Sequence, residues 1–217
     1  LRCNANCIFC GSRCICQTSV DELKADEVIS AFRNIAEKTD ASQIMVNVTG
    51  GEPLVRSDTI EIMKAVHALG FPWGLVTNGM LLTEQIVSEL KAAGMSTISI
   101  SIDGMQETHD AIRGVRGGFE RILEGLQFLQ KENFVETVMI TTVVSRKNIA
   151  ELDELKSFLI TQPIDVWRIC PVDEIGRASD EGTMLLSEKE LHHVLTFIKS
   201  LREENLPFTV TTSCSHY

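Results

Sequence analysis

Three features are missing from this 217-residue sequence: a long apolar run, a charged and then apolar leader before the first cysteine, and an excess of positive charge. Because no stretch of about 18 apolar residues exists, we expect no membrane span, and without a leader we expect no signal peptide. These absences predict a cytoplasmic protein with no membrane partner. The formal net charge of -10 argues against broad contact with a nucleic-acid backbone, so we expect no nucleic-acid partner.

Cysteine, in contrast, is concentrated at the start of the chain, where five of the seven lie in the stretch LRCNANCIFCGSRCIC. In a reducing cytosol, clustered cysteines are more often metal ligands than disulfide partners. Cys3, Cys7 and Cys10 have the spacing C-x3-C-x2-C. Its first two cysteines are separated by one residue more than in the C-x2-C-x2-C-x3-C motif of bacterial ferredoxins. A structural zinc site would add a second, separated C-x2-C pair, so zinc is the second choice. Three thiolates on a [4Fe–4S] cube would leave one iron open to a small molecule.

Short strand-like and helix-like stretches alternate along the chain, which predicts an α/β fold with a parallel sheet. A hydrophobic content of 44% is enough for one sizeable core in a chain of this length. The predicted strands are 43–49, 73–77, 97–102, 136–144, 164–169 and 208–212. The predicted helices are 25–37, 59–69, 84–93, 119–133, 149–159 and 188–204.

Two of the predicted strands carry a polar face, which favours a barrel over an open sheet. In STISISID, residues 96–103, isoleucine alternates with serine and aspartate, and in MVNVTGGE, residues 45–52, valine alternates with asparagine and threonine. A doubly wound sheet is covered by helices and should be apolar on both faces, whereas the inside of a barrel can line a wet or ligand-filled cavity. For either strand alone, serine and threonine could also be ordinary strand residues satisfied by their neighbours.

The turns TGGEP, TNG and IDG follow three successive predicted strands, at the end where barrel enzymes place their sites. Each turn combines glycine with a hydrogen-bonding side chain. Gly50 and Gly51 allow a close backbone approach to a ligand, and Glu52 can accept from an ammonium or hydroxyl group. Any one of these turns alone could be a plain connection, but the three together predict one shared ligand site.

Four motifs follow one another along the chain: CNANCIFC at residues 3–10, GGEP at 50–53, SISIDG at 99–104 and HDAIRGVRGGF at 109–119. The first, with Phe9 immediately before its third cysteine, looks like the C-x3-C-x-aromatic-C signature of the radical S-adenosylmethionine (radical SAM) superfamily. GGEP resembles the family loop that contacts the methionine amino group, and SISIDG and HDAIRGVRGGF resemble the fourth strand and the segment after it. The similarity extends over nearly the whole chain.

This resemblance implies a (β/α)6 partial TIM-type barrel that binds a [4Fe–4S] cluster and S-adenosylmethionine. The implied activity is reductive cleavage of S-adenosylmethionine to a 5′-deoxyadenosyl radical, which abstracts hydrogen from a peptide or protein side chain. A small-molecule cofactor precursor as substrate, or a non-enzymatic electron-transfer module, are the alternatives. The electron would come from an external donor such as flavodoxin or ferredoxin.

The resemblance also implies roles for individual residues. Cys3, Cys7 and Cys10 would ligate the cluster, and no catalytic residue is assigned. The remaining predicted contacts are to the cofactor: Phe9 with the adenine, the loop of Gly50, Gly51, Glu52 and Pro53 with the methionine amino group, Ser101 and Arg113 with the methionine carboxylate, and Asn78 and Asp103 with the amino or ribose groups.

The other cysteines leave alternatives open. Cys14 continues a C-x2-C-x3-C spacing and could be a fourth ligand, but then no iron would be open to the cofactor, so Cys14 and Cys16 are more simply inert thiols or substrate contacts. Cys170 favours a packing role. Cys214 looks like the first cysteine of an auxiliary-cluster domain of the SPASM or twitch type, which predicts a partial barrel over residues 1–205 and the start of that extension over 206–217. We expect the native chain to continue beyond both ends.

Overall fold

The structure, a computed structural model, describes residues 2–14, 22–180 and 182–212. Its centre is a parallel sheet of six strands that are hydrogen-bonded in chain order. The strands are β1 (Val46–Val48), β2 (Trp73–Thr77), β3 (Met95–Ser101), β4 (Thr137–Val144), β5 (Val166–Pro171) and β6 (Thr209–Thr212). Because β1 and β6 are not paired with each other, the sheet does not close into a complete barrel. The predicted α/β class with a parallel sheet is confirmed.

Helices connect the strands, as a parallel sheet requires. Over the described residues they are α1 (Ala25–Ala36), α2 (Thr59–Ala68), α3 (Glu84–Ala92), α4 (Gln106–Arg113), α5 (Gly118–Glu132), α6 (Leu152–Leu159), α7 (Arg177–Asp180) and α8 (Glu188–Glu203). The short helices α4 and α7 were absent from the sequence prediction. The α4 sequence QETHDAIR is mostly polar and buries only His109, Ile112 and Arg113, so it has little of the apolar periodicity that marks a helix. It ends at Gly114, whose φ of +64° suits a residue without a side chain.

The two faces of the sheet differ in the way the sequence predicts. In β3, Ile98 and Ile100 are buried in the core, while Ser99 and Ser101 lie on the other face and keep part of their surface exposed. The Ser99 hydroxyl is hydrogen-bonded to Thr141 Oγ1 on β4 at 2.9 Å. On this face, polar side chains of neighbouring strands are thus hydrogen-bonding partners of each other. This face leads to the carboxyl ends of the strands, where the site lies.

Of the two edge strands, the first differs from the prediction and the last agrees with it to within one residue. β1 is shorter than residues 43–49, because Ala41–Gln43 forms a 3-10 turn in which the Asp40 side chain accepts from the Ser42 N–H. β6 pairs with β5, and Val210 on β6 is buried, so residues 209–212 belong to the sheet. The extension predicted over 206–217 stays a prediction, and Cys16 and Cys214 lie outside the described residues. No helix in the described ranges is both long and apolar enough to cross a membrane.

Candidate active site

A cavity of about 300 Å³ lies at the carboxyl ends of the strands, under the loop formed by residues 2–14, which we call the cysteine loop. Parallel strands end at one edge of a sheet, and for this reason turns that are distant in sequence meet there. The cavity is lined by four cysteines of that loop, Cys3, Cys7, Cys10 and Cys14. The other lining residues include Phe9, Thr49, Gly50, Gly51, Val76, Asn78, Ser101, Arg113, Val143 and Arg177.

Each of the three predicted cluster ligands receives a hydrogen bond at its sulfur. Cys3 Sγ accepts from the Ala5 N–H at 3.4 Å and from Asn78 Nδ2 at 3.9 Å. Cys7 Sγ accepts from Arg113 Nη1 at 3.5 Å, and Cys10 Sγ accepts from the Cys14 N–H at 3.4 Å. Such donors stabilise negative charge on sulfur, which is the form in which a cysteine binds iron.

The thiols are not electrostatically equivalent. Burial raises the pKa of Cys3. Burial also acts to raise the pKa of Cys10, but hydrogen bonds from Cys14 and Ser12 and the charge of Arg177 together lower it. Burial and the neighbouring Cys10 raise the pKa of Cys14 to about 11. Of these three cysteines, Cys10 therefore forms a thiolate most readily, and Cys14 forms one least readily.

The donor set fits a cluster better than it fits a single ion. Within the described ranges, no three His, Cys, Asp or Glu side chains converge closely enough to hold one metal ion, which weighs against the zinc alternative. A four-iron cube binds each thiolate to a different iron, so its cysteines must surround a cavity instead of meeting at a point. Cys3, Cys7 and Cys10 do surround one. Among the described residues, the buried Nη2 of Arg177 has no hydrogen-bond partner, which makes it a donor available to an anionic group.

Arg113 lies on the cavity wall, but its guanidinium is already engaged by the protein. Nε donates to Asp103 Oδ2 at 2.5 Å, and Nη2 forms an ion pair with the same oxygen at 2.5 Å. The guanidinium lies 5.5 Å from the centre of the Phe9 ring. Asp103 is fully buried, and its Oδ1 accepts from the Val143 N–H at 2.9 Å. Both oxygens of Asp103 are thus occupied, and Asp103 is absent from the cavity lining. Asp103 holds Arg113 in place, and its predicted contact with amino or ribose groups stays a prediction.

The TGGEP loop is held by contacts within the protein, and its predicted contact with the methionine amino group stays a prediction. A Cβ at Gly51 would lie 1.9 Å from the Arg2 carbonyl oxygen, so the close approach that requires glycine here is to the cysteine loop. The Glu52 carboxylate accepts from Thr77 Oγ1 at 2.8 Å and from the Asn78 N–H at 2.8 Å. Burial raises the pKa of Glu52. Glu52 therefore ties the loop after β1 to the turn after β2 instead of facing the thiol-lined cavity.

The other predicted contact residues divide between two cavities. Phe9, Gly50, Asn78 and Ser101 line the thiol-lined cavity, so their predicted contacts with the cofactor stay predictions. Pro53 starts a 3-10 turn, Pro53–Val55, and with Glu52 it lines a neighbouring cavity of about 350 Å³ on the far side of the TGGEP loop. Half-buried Cys170 is not among the residues that line the thiol-lined cavity.

Arg177 is the site residue that sequence reasoning missed. It lies at the start of α7, about 170 residues after the loop it contacts, and its Nε donates to the Cys7 carbonyl oxygen at 2.7 Å. The available signal was the short motif GRA at residues 176–178, which by itself says nothing about a contact with the cysteines.

Comparison with known proteins agrees with this geometry. The Radical SAM superfamily matches residues 1–159. A curated relative, the AdoMet-dependent heme synthase of Methanosarcina barkeri, is 35% identical over 99% of this chain and 60% of its own length. The PqqA peptide cyclase of Rhizobium meliloti is 28% identical over 87% of this chain and 49% of its own. The chain thus spans a little over half the length of the first curated relatives.

A solved structure shares the fold at low sequence identity. The crystal structure of Streptococcus suis SuiB bound to S-adenosylmethionine superposes with a TM-score of 0.79 at 17% identity, over 99% of this chain and 49% of that one. At this identity the likeness concerns the fold alone, and it confirms the predicted partial barrel.

Proposed function

Because this chain belongs to the radical SAM superfamily, we propose that it forms the cluster- and cofactor-binding core of an enzyme that cleaves S-adenosylmethionine reductively. The observation that carries this proposal is the cavity in which Cys3, Cys7 and Cys10 face the TGGEP loop. When bound, the cluster and S-adenosylmethionine supply a 5′-deoxyadenosyl radical that takes a hydrogen atom from the substrate.

The residues of this chain bind and orient these groups. Cys3, Cys7 and Cys10 are the three ligands that leave a fourth iron open, and the hydrogen bonds at their sulfurs stabilise the thiolates. Gly50, with a φ of +149° and no side chain, keeps the wall opposite them open to a ligand. Val76 and Val143 make part of that wall apolar, which helps to exclude water from a reactive radical.

For the substrate we propose a tetrapyrrole precursor of heme. The heme synthase has a higher sequence identity to this chain than the peptide cyclase has, and it aligns with a larger share of the chain. This reverses the order expected from the sequence, in which a peptide or protein side chain came first. A peptide remains the second candidate, because the PqqA peptide cyclase still aligns with 87% of the chain.

The first test is cofactor cleavage without substrate. The protein is reconstituted with iron and sulfide under strict anaerobiosis, reduced with dithionite and incubated with S-adenosylmethionine, and 5′-deoxyadenosine is measured by mass spectrometry. We expect turnover that is lost in Cys7→Ala. A full cluster without any 5′-deoxyadenosine would support the electron-carrying alternative instead.

The second test separates the substrate classes. An iron porphyrin with carboxylate side chains, or an unmodified peptide, is added in separate reactions. We expect the porphyrin to increase 5′-deoxyadenosine formation and to lose mass itself, and the peptide to do neither. Stimulation by the peptide alone would favour the second candidate.

A further inference from the structure

Arg177 contacts the cysteine loop at three points. Its backbone N–H donates to the Cys10 carbonyl oxygen at 3.1 Å, its Nε to the Cys7 carbonyl oxygen at 2.7 Å, and its Nη1 to the Cys14 carbonyl oxygen at 3.0 Å. One residue from the other end of the chain thus holds the carbonyl groups of three cysteines. A planar guanidinium with several donors in fixed directions is suited to this, whereas a lysine is not.

The segment around Arg177 is packed directly on the backbone of the cysteine loop. Gly176 has a φ of +63°, and a Cβ there would lie 2.4 Å from the carbonyl oxygens of Cys10 and Gly11. Arg13 binds the same segment from the other side: its Nη2 donates to the Gly176 carbonyl oxygen at 3.0 Å, and its guanidinium forms an ion pair with Asp180. The loop and the segment at residues 176–180 therefore form one packed unit.

The consequence of this packing is the position of Cys14. Arg13 has a φ of +48°, which is unusual for a residue with a side chain and turns the chain back toward the cavity. Cys14 is buried there, and its backbone N–H donates to Cys10 Sγ at 3.4 Å. The backbone of Cys14 thus brings one hydrogen-bond donor to a predicted ligand sulfur.

We propose that Arg177 is a positioning residue that keeps the backbone N–H of Cys14 on the Cys10 sulfur and thereby raises the reduction potential of the cluster. The proposal rests on the proposed function, because it requires the cluster. Reduction adds negative charge to the cluster and its thiolates, and hydrogen bonds and nearby cations stabilise that charge. Arg177 also brings its own positive charge to the loop that carries the three cysteines. Cys14 is then a donor to a ligand and not the fourth ligand.

The test is a redox titration of the cluster-loaded protein, followed by electron paramagnetic resonance. In Arg177→Gln we expect the ratio of reduced to oxidised cluster at a fixed potential to fall about tenfold, which is about 59 mV for a one-electron couple. Arg177→Lys should lower the potential too, since it keeps the charge but not the fork of donors. Cys14→Ala should change the ratio little, because its N–H remains. Arg33→Gln is the matched control, since it removes the same charge from an exposed side chain on α1, and it should also change the ratio little.

Several outcomes would overturn the proposal. A normal potential in Arg177→Lys would show that charge alone matters, and a normal potential in Arg177→Gln at full iron content would exclude any influence. If Arg177→Gln does not assemble a cluster, a normal potential in Arg177→Lys refutes the proposal. These failures are distinct from failure of the proposed function, which is measured separately as cleavage of S-adenosylmethionine by the unchanged protein.

Discussion

The buried ion pair of Asp103 and Arg113 gives the sharpest test of how the cavity wall is built. Asp103→Asn keeps nearly the same volume and an oxygen for the Val143 N–H, but it removes the negative charge that Arg113 contacts at 2.5 Å. Because an arginine does not lose its proton, the substitution leaves an uncompensated cation in the interior. Breaking such a pair costs about 3–5 kcal/mol of the free energy of unfolding. For a domain of this size, that corresponds to a decrease in Tm of roughly 6–20 °C.

Urea unfolding followed by the fluorescence of the two buried tryptophans measures this cost. The matched control is Asp180→Asn, which breaks another aspartate–arginine pair, that of Arg13, in which both side chains are about half exposed. We expect that change to cost at most about 1 kcal/mol, because water screens an exposed pair. Similar costs for the two variants would contradict the reasoning, since they would mean that Arg113 finds water or another partner without Asp103.

Three further predictions concern the site and its surroundings. Gly51→Ala should lower the amount of iron bound on reconstitution, because a Cβ at Gly51 would lie 1.9 Å from the Arg2 carbonyl oxygen. Gly182→Ala is the control and should not lower it, because a Cβ at Gly182 would meet none of the described residues within 4 Å. Equal iron contents in the two variants would refute this prediction. Cys14→Ala should keep the absorption band of the iron–thiolate bonds. Alanine at any of the three predicted ligands, Cys3, Cys7 or Cys10, should abolish that band. Burial lowers the pKa of His109 to about 4. The unfolded state, in which this histidine has its ordinary pKa of about 6.5, therefore binds a proton at a higher pH than the folded state does. As the pH falls from about 6.5 to 4, up to about 3 kcal/mol of the free energy of unfolding is lost. His109→Gln should flatten this part of the stability profile, and an unchanged profile would show that other groups cause it.

The features that the sequence could predict are local ones. The ligand spacing is one of these, since Cys3, Cys7 and Cys10 lie within eight residues and the loop between them is short. Strand β2 has the predicted bounds, because a short run with β-branched and aromatic residues follows a turn with glycine and proline. Alternation in β3 likewise identified which face of that strand is polar, since successive side chains of a strand point to opposite faces.

The features that escaped prediction depend on tertiary contacts. Arg113 and Arg116 are three residues apart and equally plausible in sequence, yet Arg113 is buried against Asp103 while Arg116 is exposed. The need for glycine at Gly51 comes from the backbone of Arg2, about 50 residues earlier. No periodicity or composition reports such contacts, because they arise only when distant turns meet at the sheet edge.

The two arginines on the cavity wall differ in how much of their charge reaches the thiols. Arg113 is paired with the Asp103 carboxylate at 2.5 Å, which offsets most of its field at Cys7. The side-chain hydrogen bonds of Arg177 go instead to neutral carbonyl oxygens, at Cys7 and Cys14, and none of the ion pairs among the described residues includes it. A site that must hold an anionic cluster therefore has one arginine that mainly fixes the shape of the wall and one that supplies positive potential. We therefore expect that replacing Arg177 by a neutral residue changes the reduction potential more than replacing Arg113 does. This holds although Arg113 is the residue in direct contact with a predicted ligand sulfur.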